Sequence, residues 1–114
     1  MTDNCLFCKI VNKQIPAQIV YEDELVMGFK DISPQAPLHQ LVIPKQHITT
    51  LNDLTAEDRS LLGHMVFTAS QLAAEQALSA PGYRLVMNCN QDGGQTVFHV
   101  HLHLLGGRQL THLG

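Results

Sequence analysis

The sequence predicts an α+β fold, in which a five-stranded antiparallel sheet packs with one long helix and a short N-terminal helix. Five short segments have the residue types and boundaries of strands, whereas one long segment carries apolar residues at helical spacing. Strands and helices do not alternate regularly along the chain, which argues against a parallel sheet. The 114 residues, 45% of them hydrophobic, suit a single domain over residues 1–114 with a buried core.

The first half of the chain predicts the short helix and three strands. Residues 5–12 carry apolar side chains at helical spacing, and Pro16 prevents the helix from continuing. The predicted strands lie at residues 18–21, 25–30 and 39–43. An acidic turn separates the first two strands, a loop with two prolines at residues 31–37 precedes the third, and Pro44 ends it.

The second half of the chain predicts the long helix and a final hairpin. Thr55 is a favourable N-cap, and apolar residues recur on one face from about residue 56 to residue 79, before a Pro-Gly pair. His64 lies within this helix and is interpreted as a partly exposed histidine. The last strands are predicted at residues 83–89 and 96–105, and the Asp-Gly-Gly sequence at residues 92–94 supplies the positive φ angles of a hairpin turn between them.

Charge and hydropathy exclude several classes of function. The seven basic and ten acidic residues give a net charge of −3 without a basic cluster, so the sequence predicts no nucleic-acid partner. No apolar run approaches the roughly 18–20 residues that span a bilayer, so no membrane association is expected. The polar N-terminus lacks the features of a signal peptide, and a cytoplasmic protein is expected.

Three cysteines, Cys5, Cys8 and Cys89, are an odd number for a disulfide framework. Cys5 and Cys8 form a C-x-x-C pair near the start of the chain. Taken alone, this pair is compatible with half of a zinc site, a redox pair or two buried thiols. The redox interpretation is disfavoured because the pair does not follow a strand in a βαβ pattern.

Histidine is the unusual component of this chain, with seven copies. His99, His101 and His103 alternate along the last predicted strand and are therefore expected on one face of it. The opposite, core-facing side is expected to hold Phe98, Val100, Leu102 and Leu104. Two kinds of chemistry suit the three imidazoles: metal coordination, or nucleophilic catalysis in which one imidazole attacks and the others orient it or move protons.

The sequence resembles the histidine triad (HIT) superfamily, and within it the Hint branch. The segment His-Val-His-Leu-His-Leu-Leu at residues 99–105 matches the signature of alternating histidines and apolar residues at every position. Further similarity covers residues 31–37, 39–45, 92–95 and 105–109, so that it runs in order over residues 7–109. His103 at the third triad position fits the hydrolase branches, whereas the nucleotidyl-transferase branch has glutamine there. The resemblance implies the HIT fold.

The resemblance also implies an activity, the hydrolysis of purine nucleoside phosphoramidates such as adenosine 5′-phosphoramidate and lysine-linked AMP. His101 would attack the α-phosphorus and carry the nucleotidyl intermediate. His103 and His99 would lie beside it, and His39 would belong to the same proton network. The alternative is a nucleotide-binding regulatory or interaction module with little turnover. A third possibility is a metalloenzyme with zinc at the triad.

The family's nucleotide-binding positions carry over to this chain residue by residue. Asp31 would hold the ribose hydroxyls, and Phe7, Phe29 and Ile32 would line the base pocket. Donors to the phosphate oxygens would come from Asn88, Gly94, Gln95 and Thr96, together with His101 and His103.

Catalysis in this family needs no metal, but a structural zinc is possible. Some bacterial relatives bind zinc with a cysteine pair and two histidines, which implies Cys5, Cys8, His47 and His99 as ligands here. Such a site would tie the N-terminal helix to the segment that carries His99. The resemblance further implies a homodimer in which the two sheets join, with residues 108–114 reaching toward the partner.

Overall fold

The computed structural model describes residues 4–114 and confirms the α+β prediction. Its helices are α1 (Leu6–Val11) and α2 (Arg59–Glu75), and its strands are β1 (Ile19–Glu22), β2 (Val26–Lys30), β3 (Leu38–Pro44), β4 (Tyr83–Val86) and β5 (Leu102–Gly106). The strands form one antiparallel sheet in the order β1-β2-β3-β5-β4. Residues 1–3, which the predicted domain includes, lie outside the described range. Within residues 4–114, no helix is both long and apolar enough to cross a membrane.

The two faces of the sheet are covered unequally. Helix α2 packs its buried face, which includes Met65, Ala69 and Leu72, against one side of the sheet. The other side is covered by the short helix α1, through Phe7 and Ile10, and by Ile15 and Ala17 of the turn that follows it. Because α1 is short, part of that second face stays open beside it, and the open part holds the candidate site.

Helix α2 is shorter than the sequence predicts. Thr55 does cap the chain, but it caps a single 3-10 turn (Ala56–Asp58) that precedes the α-helix. At the other end, the helix stops at Glu75 instead of continuing to residue 79, because Ala77 adopts a left-handed φ of 62°. That turn brings Leu78 back into the core, where burial of its side chain offsets the strained backbone.

The last two strands are also shorter than predicted. The strand predicted over residues 83–89 ends at Val86, and that predicted over residues 96–105 is paired only in β5. Before β5 the chain leaves the sheet, and the Val100 amide donates to the Ile48 carbonyl at 2.7 Å. Val100 is buried as predicted, but Phe98 is 45% exposed, so its predicted place in the core is wrong.

The loop between these strands uses its glycines differently from the prediction. Positive φ angles occur at Asn90 and Gly94, whereas Gly93 does not adopt one. Gly93 is required for another reason, because a Cβ atom there would collide with the Cys89 carbonyl.

The turn between β1 and β2 is organised by Asp23. One carboxylate oxygen accepts the amides of Leu25 and Val26 at 2.8 and 2.9 Å, and the other accepts from the Tyr21 hydroxyl at 2.8 Å and from His64 at 2.6 Å. The predicted part exposure of His64 agrees with the structure, and its ring ties α2 to this turn.

We expect Asp23→Ala to lower the free energy of unfolding by about 2 kcal/mol, because it removes the acceptor for four donors. Urea unfolding measures the effect. Glu24→Ala, in the exposed neighbouring position, is the matched control and should change stability by about 0.5 kcal/mol or less. Equal effects of the two substitutions would contradict this role of Asp23.

Candidate active site

The three triad histidines are brought together, although only His103 lies within a paired strand. His99 and His101 lie in the irregular segment that leads into β5 and are 0% and 6% exposed. The rings of His101 and His103 are neighbours, with centroids 4.9 Å apart. The ring of His99 instead points toward Cys5 and His47. The triad therefore divides between two adjacent clusters.

The orientation of His101 is fixed by the backbone. Its Nδ1 lies 2.7 Å from the His99 carbonyl, which can only accept, so Nδ1 carries the proton. In the neutral ring Nε2 is then an unprotonated base. Burial lowers the pKa of His101, while the bond to the His99 carbonyl and the nearby Asp31 charge oppose that effect. The result is a neutral imidazole whose free electron pair is on Nε2, as a nucleophile requires.

His39 and His103 form a second oriented pair. The Gln35 amide donates to Nδ1 of His39 at 3.0 Å, so the proton of neutral His39 is on Nε2. That Nε2–H donates to Nδ1 of His103 across 2.9 Å. His103 must then carry its own proton on Nε2, where it can donate to a ligand. Burial, with smaller effects of His101 and His39, lowers the pKa of His103 to about 4.

Asp31 lies beside the histidine pair as well as at the pocket. One carboxylate oxygen is 3.4 Å from Nε2 of His39, and the other accepts the Ser33 amide at 2.7 Å. The negative charge of Asp31 raises the pKa values of His39, His101 and His103 against the lowering effect of their burial. Sequence reasoning assigned only a ribose-binding role to Asp31 and gave no sign of this second contact.

A pocket of about 240 Å³ opens beside these histidines. Its lining includes seven of the predicted site residues: Phe7, Phe29, Asp31, Ile32, Thr96, His101 and His103. Phe7 contacts Phe29 and His101 edge-on, with centroid distances of 5.5 and 5.1 Å, whereas Ile32 is 95% exposed at the rim. The sequence did not identify the lining by Ile15, Pro16 and Ala17, because the turn after α1 has no periodic pattern to indicate a face.

The predicted phosphate donors of the glycine loop are engaged within that loop. The Asn88 side chain donates to the Gly93 carbonyl at 2.6 Å, and the amides of Gly94 and Gln95 donate to carbonyls at residues 91 and 90. The Gln95 side chain is buried and donates to the Thr49 carbonyl. Of these predicted donors, Thr96 lines the pocket. The others shape the loop, and their contact with phosphate stays a prediction.

The predicted zinc ligands converge on one point. The Sγ atoms of Cys5 and Cys8 and one ring nitrogen each of His47 and His99 all lie within 4.8 Å of one another. Cys5 is the N-cap of α1 and its sulfur accepts the Cys8 amide at 3.3 Å, which places both sulfurs at the same end of the helix. Nδ1 of His99 is 3.3 Å from the Cys5 sulfur, and Nδ1 of His47 is 3.2 Å from that of Cys8.

The protonation of this cluster fits a bound cation. Nε2 of His99 donates to the Pro44 carbonyl at 2.8 Å, so Nδ1 is the unprotonated atom directed at the cysteines. Burial and the neighbouring Cys5 raise the pKa of the Cys8 thiol to about 11, and a cation between the sulfurs would favour the thiolates instead. Two sulfur and two imidazole donors form the set that Zn²⁺ prefers in closed tetrahedral sites.

The lowered histidine pKa values predict that acid destabilises the fold. A histidine with a folded pKa of about 4 and an unfolded pKa of about 6.5 binds fewer protons when folded between those values. Stability is therefore complete above about pH 6.5 and is lost as the pH falls toward 4. Urea unfolding at several pH values measures this slope. We expect His103→Asn to reduce the dependence of stability on pH. An unchanged dependence in that variant would contradict the lowered pKa of His103.

Comparison with known proteins identifies the family. Residues 4–112 match a family model described as scavenger mRNA decapping enzyme C-term binding. The chain is 50% identical over 110 residues to the purine nucleoside phosphoramidase of Escherichia coli K12, with 96% of this chain and 92% of that protein covered. This chain belongs to the HIT family. The family expected from the sequence is thereby confirmed.

Other HIT proteins are equally similar. An uncharacterised HIT-like protein of Synechococcus elongatus is 53% identical over 111 residues, covering 97% of this chain and 96% of that protein. The crystal structure of a HIT family hydrolase from Legionella pneumophila superimposes with a TM-score of 0.93 at 56% identity, covering 95% and 96% of the two chains. The fold described above is therefore the HIT fold.

Proposed function

We propose that this HIT protein hydrolyses purine nucleoside phosphoramidates, such as adenosine 5′-phosphoramidate and lysine-linked AMP, through a nucleotidyl intermediate on His101. The observation that carries the proposal is the bond from Nδ1 of His101 to the His99 carbonyl, which leaves Nε2 unprotonated beside the pocket. Relatives named as a phosphoramidase and as a HIT family hydrolase support an enzyme that acts on P–N bonds.

The first step forms the intermediate. Nε2 of His101 attacks the α-phosphorus, the P–N bond to the amine breaks, and the amine leaves with that electron pair and takes up a proton from solvent. Nε2–H of His103 donates to a non-bridging phosphate oxygen, where negative charge must be stabilised. Since His39 holds that tautomer, His103 needs no rearrangement when the substrate binds.

The second step returns the free enzyme. Water attacks the same phosphorus and gives up a proton to solvent, the bond to Nε2 of His101 breaks, and AMP is released with the ring neutral again. A histidine is a suitable carrier because the ring is cationic in the adduct and leaves phosphorus easily as a neutral imidazole. One difficult displacement is thereby split into two easier ones.

The pocket supplies the binding groups for the nucleoside. Phe7 and Phe29 present apolar ring edges and faces for a base, and the Asp31 carboxylate can accept two ribose hydroxyls. We propose that the phosphate lies between His101 and His103.

We further propose that Cys5, Cys8, His47 and His99 hold a structural zinc. When bound, zinc would fill a closed four-ligand site and supply a cross-link rather than an activated water. The ligands would join α1, which carries Phe7, to the segment that orients His101. A homodimer in which the two sheets join is proposed on the family resemblance.

Turnover of adenosine 5′-phosphoramidate tests the proposed function. Purified protein should release AMP and ammonia with saturable kinetics, followed by ³¹P NMR or by chromatography of the nucleotides. Tight binding of AMP by calorimetry with no release from the phosphoramidate would instead establish the nucleotide-binding module. Turnover that disappears on chelation while the fold is retained would favour a zinc enzyme.

A further inference from the structure

The segment that follows β5 holds the loop before β3. Gly107 has a φ of 98°, and a Cβ atom there would lie 2.8 Å from the Pro37 side chain. The backbone at Gly107 therefore packs directly against the ring of Pro37. Next to it, Nη2 of Arg108 donates to the Gln35 carbonyl at 3.0 Å. This bond joins positions 73 residues apart, whereas the other side-chain bonds described for this loop remain within residues 31–39.

The residue held by Arg108 is the one that orients His39. The Gln35 amide donates to Nδ1 of His39 at 3.0 Å, and Nε2 of His39 donates to Nδ1 of His103 at 2.9 Å. Three hydrogen bonds therefore run in one direction, from Arg108 through Gln35 and His39 to His103.

We propose that Arg108 is a positioning residue for the reaction, because its hold on Gln35 keeps His39 and His103 in the tautomers that make His103 a donor to phosphate. The proposal rests on the proposed function. Arg108 does not line the nucleotide pocket, so its effect must pass through the histidine pair.

Without the bond from Arg108, His39 and His103 can exchange the roles of donor and acceptor in the hydrogen bond between them. If the Gln35 amide moves away, Nδ1 of His39 can carry the proton, and Nε2 of His39 then accepts from Nδ1–H of His103. Nε2 of His103 becomes an electron pair facing the anionic phosphate. Asp31, with an oxygen 3.4 Å from Nε2 of His39, favours the original tautomer, so we expect a mixture rather than a complete reversal.

Arg108→Ala tests this role, with Arg108→Lys as the conservative variant and Arg84→Ala as the matched control. Arg84 also donates to a backbone carbonyl, that of His112 at 2.7 Å, but has no connection to the histidine pair. The readouts are ¹⁵N chemical shifts of ¹⁵N-histidine-labelled protein, which report the tautomer of each ring, and kcat and KM for adenosine 5′-phosphoramidate.

In wild-type protein we expect His39 and His103 both protonated on Nε2. Arg108→Ala should give a mixture of tautomers and a kcat about tenfold lower, the effect of one displaced hydrogen bond, with KM within about twofold. Arg108→Lys should keep most of the wild-type tautomers and most of the wild-type kcat. Arg84→Ala should change neither the tautomers nor kcat. Wild-type tautomers in Arg108→Ala would overturn the proposal, even if the variant is slow. The tautomers are measured without substrate. Inactive wild-type protein would therefore refute the proposed function, whereas the control of the tautomers by Arg108 is tested separately by the ¹⁵N shifts.

Discussion

Replacement of His101 by alanine is expected to reduce phosphoramidate turnover by about 10³-fold or more. The substitution removes the atom that would attack phosphorus. His99 is also oriented by a backbone carbonyl, but its unprotonated Nδ1 is directed at the cysteines and not at the pocket. His103, the other histidine that lines the pocket, is oriented by His39 and is proposed to donate to a phosphate oxygen, so it is not expected to replace His101. Steady-state release of AMP measures the loss.

Two controls separate loss of chemistry from loss of structure. AMP affinity of His101→Ala, measured by calorimetry, should stay within about tenfold of the wild type, since most of the pocket remains. His112→Ala, which removes an exposed histidine far along the C-terminal segment, should keep full turnover. Unchanged turnover in His101→Ala would show that another group is the nucleophile.

The combined replacement of Cys5 and Cys8 by serine is expected to cause the largest loss of stability. If zinc is present at about 1,000 times its dissociation constant, its binding stabilises the fold by about 4 kcal/mol, and the variant loses that stabilisation. Elemental analysis should show one zinc per wild-type chain and none in the variant, and thermal unfolding should begin at a lower temperature. Cys89→Ser, which changes a cysteine outside the cluster, is the matched control.

Loss of zinc should reduce the turnover rate less than it reduces the stability of the fold. Zinc would act on catalysis only by fixing α1 and the His99 carbonyl, so the metal-free protein at low temperature should keep part of its turnover. A wild-type protein that holds no zinc and is as stable as the double variant would contradict the metal proposal. It would leave the roles of His101 and His103 intact.

The architecture was predictable from the sequence because each element carries its own local pattern. The strands, the α2 face and the alternation of histidines with apolar residues follow from spacing alone, and the family resemblance added the HIT topology. The ends of elements were less predictable. Ala77 and Phe98 depart from the predicted pattern because tertiary packing, of Leu78 in one case and of the segment before β5 in the other, outweighs local preference.

The sequence predicted seven of the residues that line the pocket, but it did not predict the hydrogen bonds that orient the histidines. Alternation suggested one shared face for the triad, yet His99 turns toward the cysteines because its Nε2 is bonded to Pro44. Sequence reasoning also could not find the Gln35 amide or Arg108, since a backbone donor and a contact between distant positions leave no local signal. These bonds decide which nitrogen of each ring is protonated.

The most direct test of the proposed mechanism is to trap the intermediate on His101. Enzyme and excess adenosine 5′-phosphoramidate are mixed for milliseconds and quenched in alkaline denaturant, because the bond between phosphorus and histidine breaks in acid. Mass spectrometry of the peptides should then find one nucleotidyl group on His101 in the wild type and none in His101→Ala. An adduct on another residue, or rapid AMP release with no adduct at any time, would contradict the nucleophile assigned here.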